Sequence, residues 1–571
     1  MQYSSSLITA LLLLASNSVS AATSAYEPEI VSCPSNSSSL VRTSGGLSTD
    51  ETEWVAKRDA ITEPILKSYL SSQLNSTSTL DKIFSDDNDQ KPKIAFAVSG
   101  GSYRAMLTGA GMLSAFDNRT DDNTGSGKLG GLLQASTYLA GLSGGNWLTT
   151  SLAFNDWISV QEVVDQVKNN NGSSLWNITN SILAPFGAEE PMNDLLRWAK
   201  IRTDIQNKED AGFPVSIVDL WGLALSYQFF ENGAENLIWS SLQKSDVFAN
   251  AEMPFIISTA EQYNAVETIN TTIFEFNPFE FGSWEHEKFA NIEYLGTSFK
   301  DGSPVNSTQC VNNFDNAGYI LGTSAGLFNL VAEKIDSLGL TGTTKEILEI
   351  LISSWASENG IPAAYPNPFY GLEAESNDFG SNITYLEDLY LVDGGEDGET
   401  LPFVPLLQEE REIDAIFAFD IDANTDELWP SGLSLYATYA RQAQPIGADI
   451  AFPFVPNTTV FVEESLNEKT VFFGCNATLL SELAYIPPLV VYIPNKEYTF
   501  ASNTSTFQLS YTDKEKLGMI ENGYAAAYQN NTDSDYATCI SCAVILRAQQ
   551  RLDITPSAEC QSCFDNYCWS P

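Results

Sequence analysis

Apolar residues along the chain gather into short continuous runs that stop at glycines, alternating with longer stretches of helical spacing. In "KPKIAFAVSGG" the run Ile94 to Val98 ends at Gly100 and Gly101, the signature of a short buried strand. Behind it, "SYRAMLTGAGMLSAF" sets Met106, Ala110 and Leu113 at helical spacing, and Gly109 and Gly111 would let that helix lie close to a sheet. "TYLAGLSGGNWLTTSL", residues 137 to 152, repeats the theme: an apolar run, a serine between glycines, then helix-like spacing. Further strands are predicted at Pro254 to Thr259, Thr272 to Phe276, Tyr390 to Val392 and Ile413 to Asp420, and "TKEILEILISSWA" predicts a helix among them. Such alternation predicts an α/β layered fold with a central, mostly parallel or mixed sheet.

The ends of the chain differ from this body. Leu7 to Ala15 is apolar but too short to span a bilayer. Val19-Ser20-Ala21 follows as a small-residue cleavage site, so residues 1–21 read as a secretory signal peptide. Residues 22–90 form a polar, Ser-rich segment ending in "SDDNDQ". Residues 91–532 read as one large catalytic domain, and 533–571 as a Cys-rich tail packed on it. No later stretch has the length and apolarity of a membrane span, and "NYCWSP" carries no hydrophobic GPI signal.

The expected location is therefore secreted, extracellular or at the cell wall. N-glycosylation sequons at Asn36, Asn75, Asn118, Asn171, Asn177, Asn270, Asn306, Asn382, Asn457, Asn476, Asn503 and Asn530 agree with it. The spacing Cys539-x2-Cys542 with Cys560-x2-Cys563 resembles a zinc ribbon, but in an oxidising compartment disulfides are the better reading. Charge changes the picture once more. With 73 Asp and Glu against 28 Lys and Arg, the formal charge is -45, which excludes a nucleic-acid partner and disfavours strongly anionic membranes. An acidic medium, where self-repulsion falls, suits such a surface and suggests an acid pH optimum.

Candidate chemistry sits where the apolar runs stop. Gly141, Ser143 and Gly145 match G-x-S-x-G, the turn that exposes a nucleophilic serine between strand and helix. A second match surrounds Ser324 in "YILGTSAGLFNL". Only Ser143 has a companion motif, "VSGGSYRAM", whose Gly100, Gly101 and Ser102 form a turn before a helix. Backbone N–H groups there can hold an oxyanion, and Arg104 adds a cation in the first helical turn. In "LYLVDGGEDGETLPFVPLL", Asp393 ends a strand and is a candidate general base, whereas Glu396, Asp397 and Glu399 read as a solvated turn. The single histidine, His286, precedes Asp393, so the order Ser, Asp, His of a conventional triad is missing; a structural or surface role is expected for it. "DIDANTD", Asp420 to Asp426, starts like an EF-hand but has Thr425 and Ser431 where glycine and glutamate are needed. No metal and no cofactor is expected.

"SGGSYRAM", "AGLSGGNW" and "LVDGGEDGE", in this order, resemble the fungal phospholipase B (lysophospholipase) family, related to the cytosolic phospholipase A2 and patatin-like catalytic domains. "FEFNPFEFGSWE", "LGTSAGLFN" and the Cys-rich end share the resemblance. It implies a Ser-Asp dyad with Ser143 as nucleophile and Asp393 as base, Arg104 as phosphate-stabilising cation, and an oxyanion hole at Gly101 and Ser102 with Gly100 beside it. Ser102 stands where the cytosolic relatives have a third glycine. About 70 mature residues precede Ile94, too few for a calcium-dependent membrane-binding domain. Calcium-independent hydrolysis of phospholipid and lysophospholipid esters at micelle or membrane surfaces is implied, with transacylation as a companion reaction. A catalytically inactive cell-surface glycoprotein of the same fold is the alternative.

Overall fold

The computed structural model describes residues 26–35, 40–43, 45–169, 175–187, 189–263, 269–326, 360–373 and 383–571. The signal segment, the helix predicted in "TKEILEILISSWA", and Asn36, Asn171 and Asn382 lie outside them. Five parallel strands form the middle of a 12-stranded sheet, in the spatial order Leu489–Pro494, Ala415–Asp420, Ile94–Val98, Tyr138–Gly141 and Phe255–Gln262. Every residue of Ile94–Val98 and Ala415–Asp420 is buried, so both faces of the sheet are covered, as parallel strands require.

Antiparallel strands widen the sheet at both sides. Val471–Phe473 adds to one edge; Ile273–Phe276, Glu280–Ser283, Lys288–Asn291 and Val41–Arg42 follow one another beyond Phe255–Gln262. The sheet is thus mixed with a parallel centre, the α/β architecture the alternating pattern predicts.

One strand sets the geometry of the site. Phe255–Gln262 spends its first half on Tyr138–Gly141, with Gly141 opposite Ser258. Its far end pairs antiparallel with Asp388–Asp393, placing Asp393 opposite Ala260. Its other edge is occupied by Ile273–Phe276, so both partners share one edge. Asp393 is therefore laid down just past the point where the Tyr138–Gly141 strand ends.

Helices cover this sheet through close glycine contacts. Gly109, in helix Ser102–Phe116, faces Val98 and Ile421, as expected for approach to the sheet. Gly111 does something different: a Cβ there would collide with the Ile520 carbonyl of helix Asp513–Ala527.

The polar segment before Ile94 holds a 25-residue helix, Thr49–Gln73, capped by the Ser48 hydroxyl on the Glu51 N–H. Trp54, Leu66 and Leu70 of this helix are buried. Glu51 joins the fully buried Arg411, which also binds Glu275 of the sheet. At the other end of the chain, helix Tyr536–Arg551 is clamped to Ala558–Tyr567 by disulfides Cys539–Cys563 and Cys542–Cys560. Cys475–Cys568 and Cys33–Cys310 complete four pairs, which settles the cysteine pattern as disulfides rather than a zinc ribbon.

Candidate active site

Ser143 stands between strand Tyr138–Gly141 and helix Gly144–Ala153 with φ 50 and ψ -119, a conformation that L-residues rarely adopt. The chain turns sharply enough for the Gly145 N–H to reach the Leu142 carbonyl at 2.8 Å. Glycine is needed on both sides of the next step. A Cβ on Gly144 would strike the Ser102 carbonyl, and one on Gly145 the Val98 carbonyl. The serine turn and the "SGGS" turn are thereby pressed together, and a Cβ on Gly100 would sit 3.2 Å from that of Ser143.

In the "SGGS" turn the three candidate donors separate. The Gly100 N–H donates to the Thr400 carbonyl at 2.9 Å, so it is already used. Gly101, at φ 130, and Ser102, at φ 59, open helix Ser102–Phe116, where backbone N–H groups have no carbonyl one turn earlier. Arg104 lies beneath them, 1% exposed. Its Nε donates to the Ile421 carbonyl at 2.8 Å, and its Nη1 to the Thr504 carbonyl at 2.7 Å and Thr506 Oγ1 at 3.0 Å. Its Nη2 lies against Gly101, 2.5 Å from where a Cβ would be. Burial lowers the Arg104 pKa, while Asp422, Tyr511 and Asp420 favour its charged form.

Asp393 is 3% exposed. Its Oδ1 accepts the Gly395 N–H at 2.9 Å, and its Oδ2 is buried with no hydrogen-bond partner. Burial pushes its pKa up to about 7; the Gly395 N–H and the neighbouring Ser143 hydroxyl pull it down, and Asp422 pushes it up. Ser143 is thus close enough to bias the carboxyl, although its hydroxyl makes no hydrogen bond to Oδ2.

Several residues play parts that sequence reasoning assigned otherwise. Glu396, Asp397 and Glu399 are not a solvated turn. The Asp397 and Glu399 carboxylates are buried on Arg441, at 3.3 and 2.8 Å, and Glu285 binds the same guanidinium. Asp420 and Asp422, from the EF-hand-like stretch, are also buried: Asp420 accepts from Tyr492 at 2.8 Å and Asp422 from Thr400 at 2.6 Å. Among the described residues no group of three or more His, Cys, Asp or Glu side chains is arranged so that it could hold a metal ion.

His286 is buried and structural, its Nε2 2.9 Å from Thr272 Oγ1. Ser324, from the second G-x-S-x-G, is fully buried, and its Oγ accepts the Ser143 N–H at 3.0 Å. Its only sequence signal was that duplicate motif. Among the sequons, Asn75, Asn118, Asn177, Asn306, Asn457, Asn476 and Asn530 are exposed, whereas Asn270 and Asn503 are half-buried. Among the described residues no helix is long and apolar enough to cross a membrane.

The family model of the lysophospholipase catalytic domain matches residues 94–571. Lysophospholipase 2 of Saccharomyces cerevisiae is 47% identical over 580 residues, covering 99% of this chain and 81% of the relative. Lysophospholipase 1 of the same yeast is 48% identical over 559 residues, covering 95% and 83%. A lysophospholipase of Torulaspora delbrueckii is 47% identical over 559 residues, covering 95% and 85%. Among solved structures, human GIVD cytosolic phospholipase A2 superposes with a TM-score of 0.66 at 17% identity, over 91% of this chain and 67% of that one, which shows a shared fold. The family model over residues 94–571 and the yeast relatives, alike over nearly the whole chain, show that this chain belongs to the lysophospholipase family.

Proposed function

We propose that the protein is a secreted lysophospholipase/phospholipase B that releases fatty acid from lysophospholipids and phospholipids through a Ser143-Asp393 dyad. The observation that carries this reading is the shared edge of Phe255–Gln262, which ends Tyr138–Gly141 and Asp388–Asp393 beside each other. Ser143 Oγ attacks the acyl ester carbonyl while its proton passes to Asp393 Oδ2. The oxyanion rests on the Gly101 and Ser102 amides, where losing one donor typically costs about 10²–10³ in rate.

Asp393 then returns the proton to the leaving glycerol oxygen. Water, deprotonated in turn by Asp393, resolves the acyl-enzyme; a lysophospholipid hydroxyl in its place gives transacylation. Arg104 is the cation for the phosphate, which would approach it across Gly101. No step calls on calcium. The signal peptide, the sequons and the four disulfides support an extracellular setting and N-glycosylation of the exposed asparagines.

The test is fatty acid release from lysophosphatidylcholine in the presence of EDTA, comparing wild type with Ser143→Ala. Release by wild type alone is the expected result. Equal release by both proteins would remove Ser143 from the mechanism, and no release by either would favour a non-enzymatic glycoprotein.

A further inference from the structure

We propose that Ser324 is a positioning residue for the nucleophile: its hydroxyl oxygen holds the Ser143 N–H and so keeps the elbow in the conformation that aims Ser143 Oγ at the oxyanion turn. The inference rests on Ser143 being the nucleophile, and it goes beyond that by assigning a function to the second G-x-S-x-G.

The need for a holder follows from the backbone. At φ 50 and ψ -119 Ser143 occupies a sparsely populated region that persists only where its surroundings over-determine it. The carbonyl of Ser143 is already committed to the Trp147 N–H at 3.0 Å. Its N–H, at the head of the turn, points into protein and meets a single side-chain oxygen, Ser324 Oγ, at 3.0 Å. A buried N–H without an acceptor is rare and costly, so the strained conformer and the acceptor are selected together.

Ser324 can do this because it cannot move. It ends helix Ala317–Thr323, and its own N–H donates to the Ile320 carbonyl at 3.0 Å. The start of the helix is fixed by Asn316, whose Oδ1 accepts the Gly318 and Tyr319 N–H groups and whose amide donates to the Ala234 carbonyl. Gly322 brings the helix against Gly222 of helix Ile217–Phe229, where a Cβ would come within 2.8 Å of the Gly222 Cα. Thr323, next in the chain, is tied to Tyr365 at 2.7 Å. The glycine of the duplicate motif thus sets a helix crossing, and its serine delivers an oxygen to the nucleophile. Full burial and this bond also remove Ser324 as a rival nucleophile.

The experiment uses the full-length protein and the variants Ser324→Ala, Ser324→Cys and Ser324→Thr, with Ser143→Ala alongside. Steady-state hydrolysis of lysophosphatidylcholine is measured with the rate of covalent labelling by a long-chain fluorophosphonate, in which Ser143 Oγ bonds phosphorus and fluoride leaves. Ser324→Ala is expected to lower kcat about tenfold or more with KM little changed, and to slow labelling by the same factor. Thr, which keeps the hydroxyl, restores both. Cys, close to serine in size but a weak acceptor, behaves like Ala.

Wild-type kcat and labelling in Ser324→Ala would overturn the inference, as would a Cys variant that matches serine, since that would make volume the relevant property. Should Ser324→Ala fail to fold, the Cys and Thr pair gives the same decision. An active Ser143→Ala would bring down the nucleophile and this inference together. An inactive Ser143→Ala beside a normal Ser324→Ala would remove this inference alone.

Discussion

Asp393 accepts the Gly395 N–H on Oδ1 at 2.9 Å and leaves its buried Oδ2 without a partner. One oxygen therefore fixes the side chain, and the other is left in the state that the proposed base requires. Asn in this place keeps the accepting oxygen and loses the base. Asp393→Asn is expected to fold and to lower kcat by about 10²–10⁴, the usual worth of a general base. Its melting temperature at pH 8 should equal or exceed that of wild type, because the wild-type carboxyl is then ionised in a buried site. Near-wild-type turnover in a folded Asp393→Asn protein would eliminate the dyad.

The same carboxyl sets a pH dependence of rate. A base must be ionised to act, and burial pushes Asp393 up to about 7. The acid limb of kcat/KM for lysophosphatidylcholine, whose charge is constant in this range, should thus rise with pH through about 7. The acidic composition alone pointed to an acid optimum, and the depth of Asp393 moves the expectation toward neutrality. A kcat/KM already at its plateau at pH 5 would show that a different group takes the proton.

Stability should run the other way. Glu285, Asp397 and Glu399 share one guanidinium, Arg441, and the buried Glu261 lies beside Asp397. Burial raises Glu261 well above its ordinary range, with Asp397 and Glu396 adding to the rise; burial and then Glu399 push Asp397 up to about 8. Asp420, likewise buried and beside Asp422, is pushed up to about 8. Carboxyls raised in the folded state bind more protons than in the unfolded chain between about pH 4 and 8, so their stabilisation is lost as pH rises through that window. Melting temperature is expected to fall from pH 5 to pH 9, and Asp397→Asn should flatten the fall. Glu275, held below its ordinary value by Arg411 against the effect of burial, acts oppositely and only at lower pH. A melting temperature that climbs from pH 5 to pH 9 would contradict the buried protons.

The parts of the site that were legible in the sequence are local. Strand, glycine and serine follow one another within a few residues at Val98–Ser102 and at Gly141–Gly145, so the turns could be read directly. Asp393 was legible as a polar residue ending a strand. Its pairing with Ser143 was implied only by the family resemblance, because the approach depends on two distant segments sharing one edge of Phe255–Gln262. Asp397 and Glu399 read as solvated because nothing in a run of acids reveals Arg441 folding back onto them. Helix Thr49–Gln73 hid for a related reason. Its inner face carries Glu51 and Arg58 as well as Trp54 and Leu66, and these charges are satisfied only by remote partners.

Helix Ser102–Phe116 carries both Ser102 and Arg104 at its start, so what seats this helix also seats the turn proposed to hold the oxyanion. Its tightest contact is a glycine exchange with Asp513–Ala527. A Cβ on Gly111 would collide with the Ile520 carbonyl, and one on Gly523 with the Thr108 carbonyl. Backbone cannot yield as a side-chain tip does, so Gly523→Ala should part the helices at a cost of about 1–3 kcal/mol or more. Gly125→Ala is the control: at φ 106 it carries conformational strain alone, with nothing within 4 Å of its Cβ, and about 1 kcal/mol is expected. Urea unfolding and kcat are measured on both. Gly523→Ala should lose stability and kcat together, because a displaced helix shifts Ser102 and Arg104 away from Ser143, whereas Gly125→Ala should lose only stability. If kcat survives in Gly523→Ala despite a clear loss of stability, the oxyanion turn is held by the Gly100–Thr400 bond and the Gly144 contact rather than by the helix behind it.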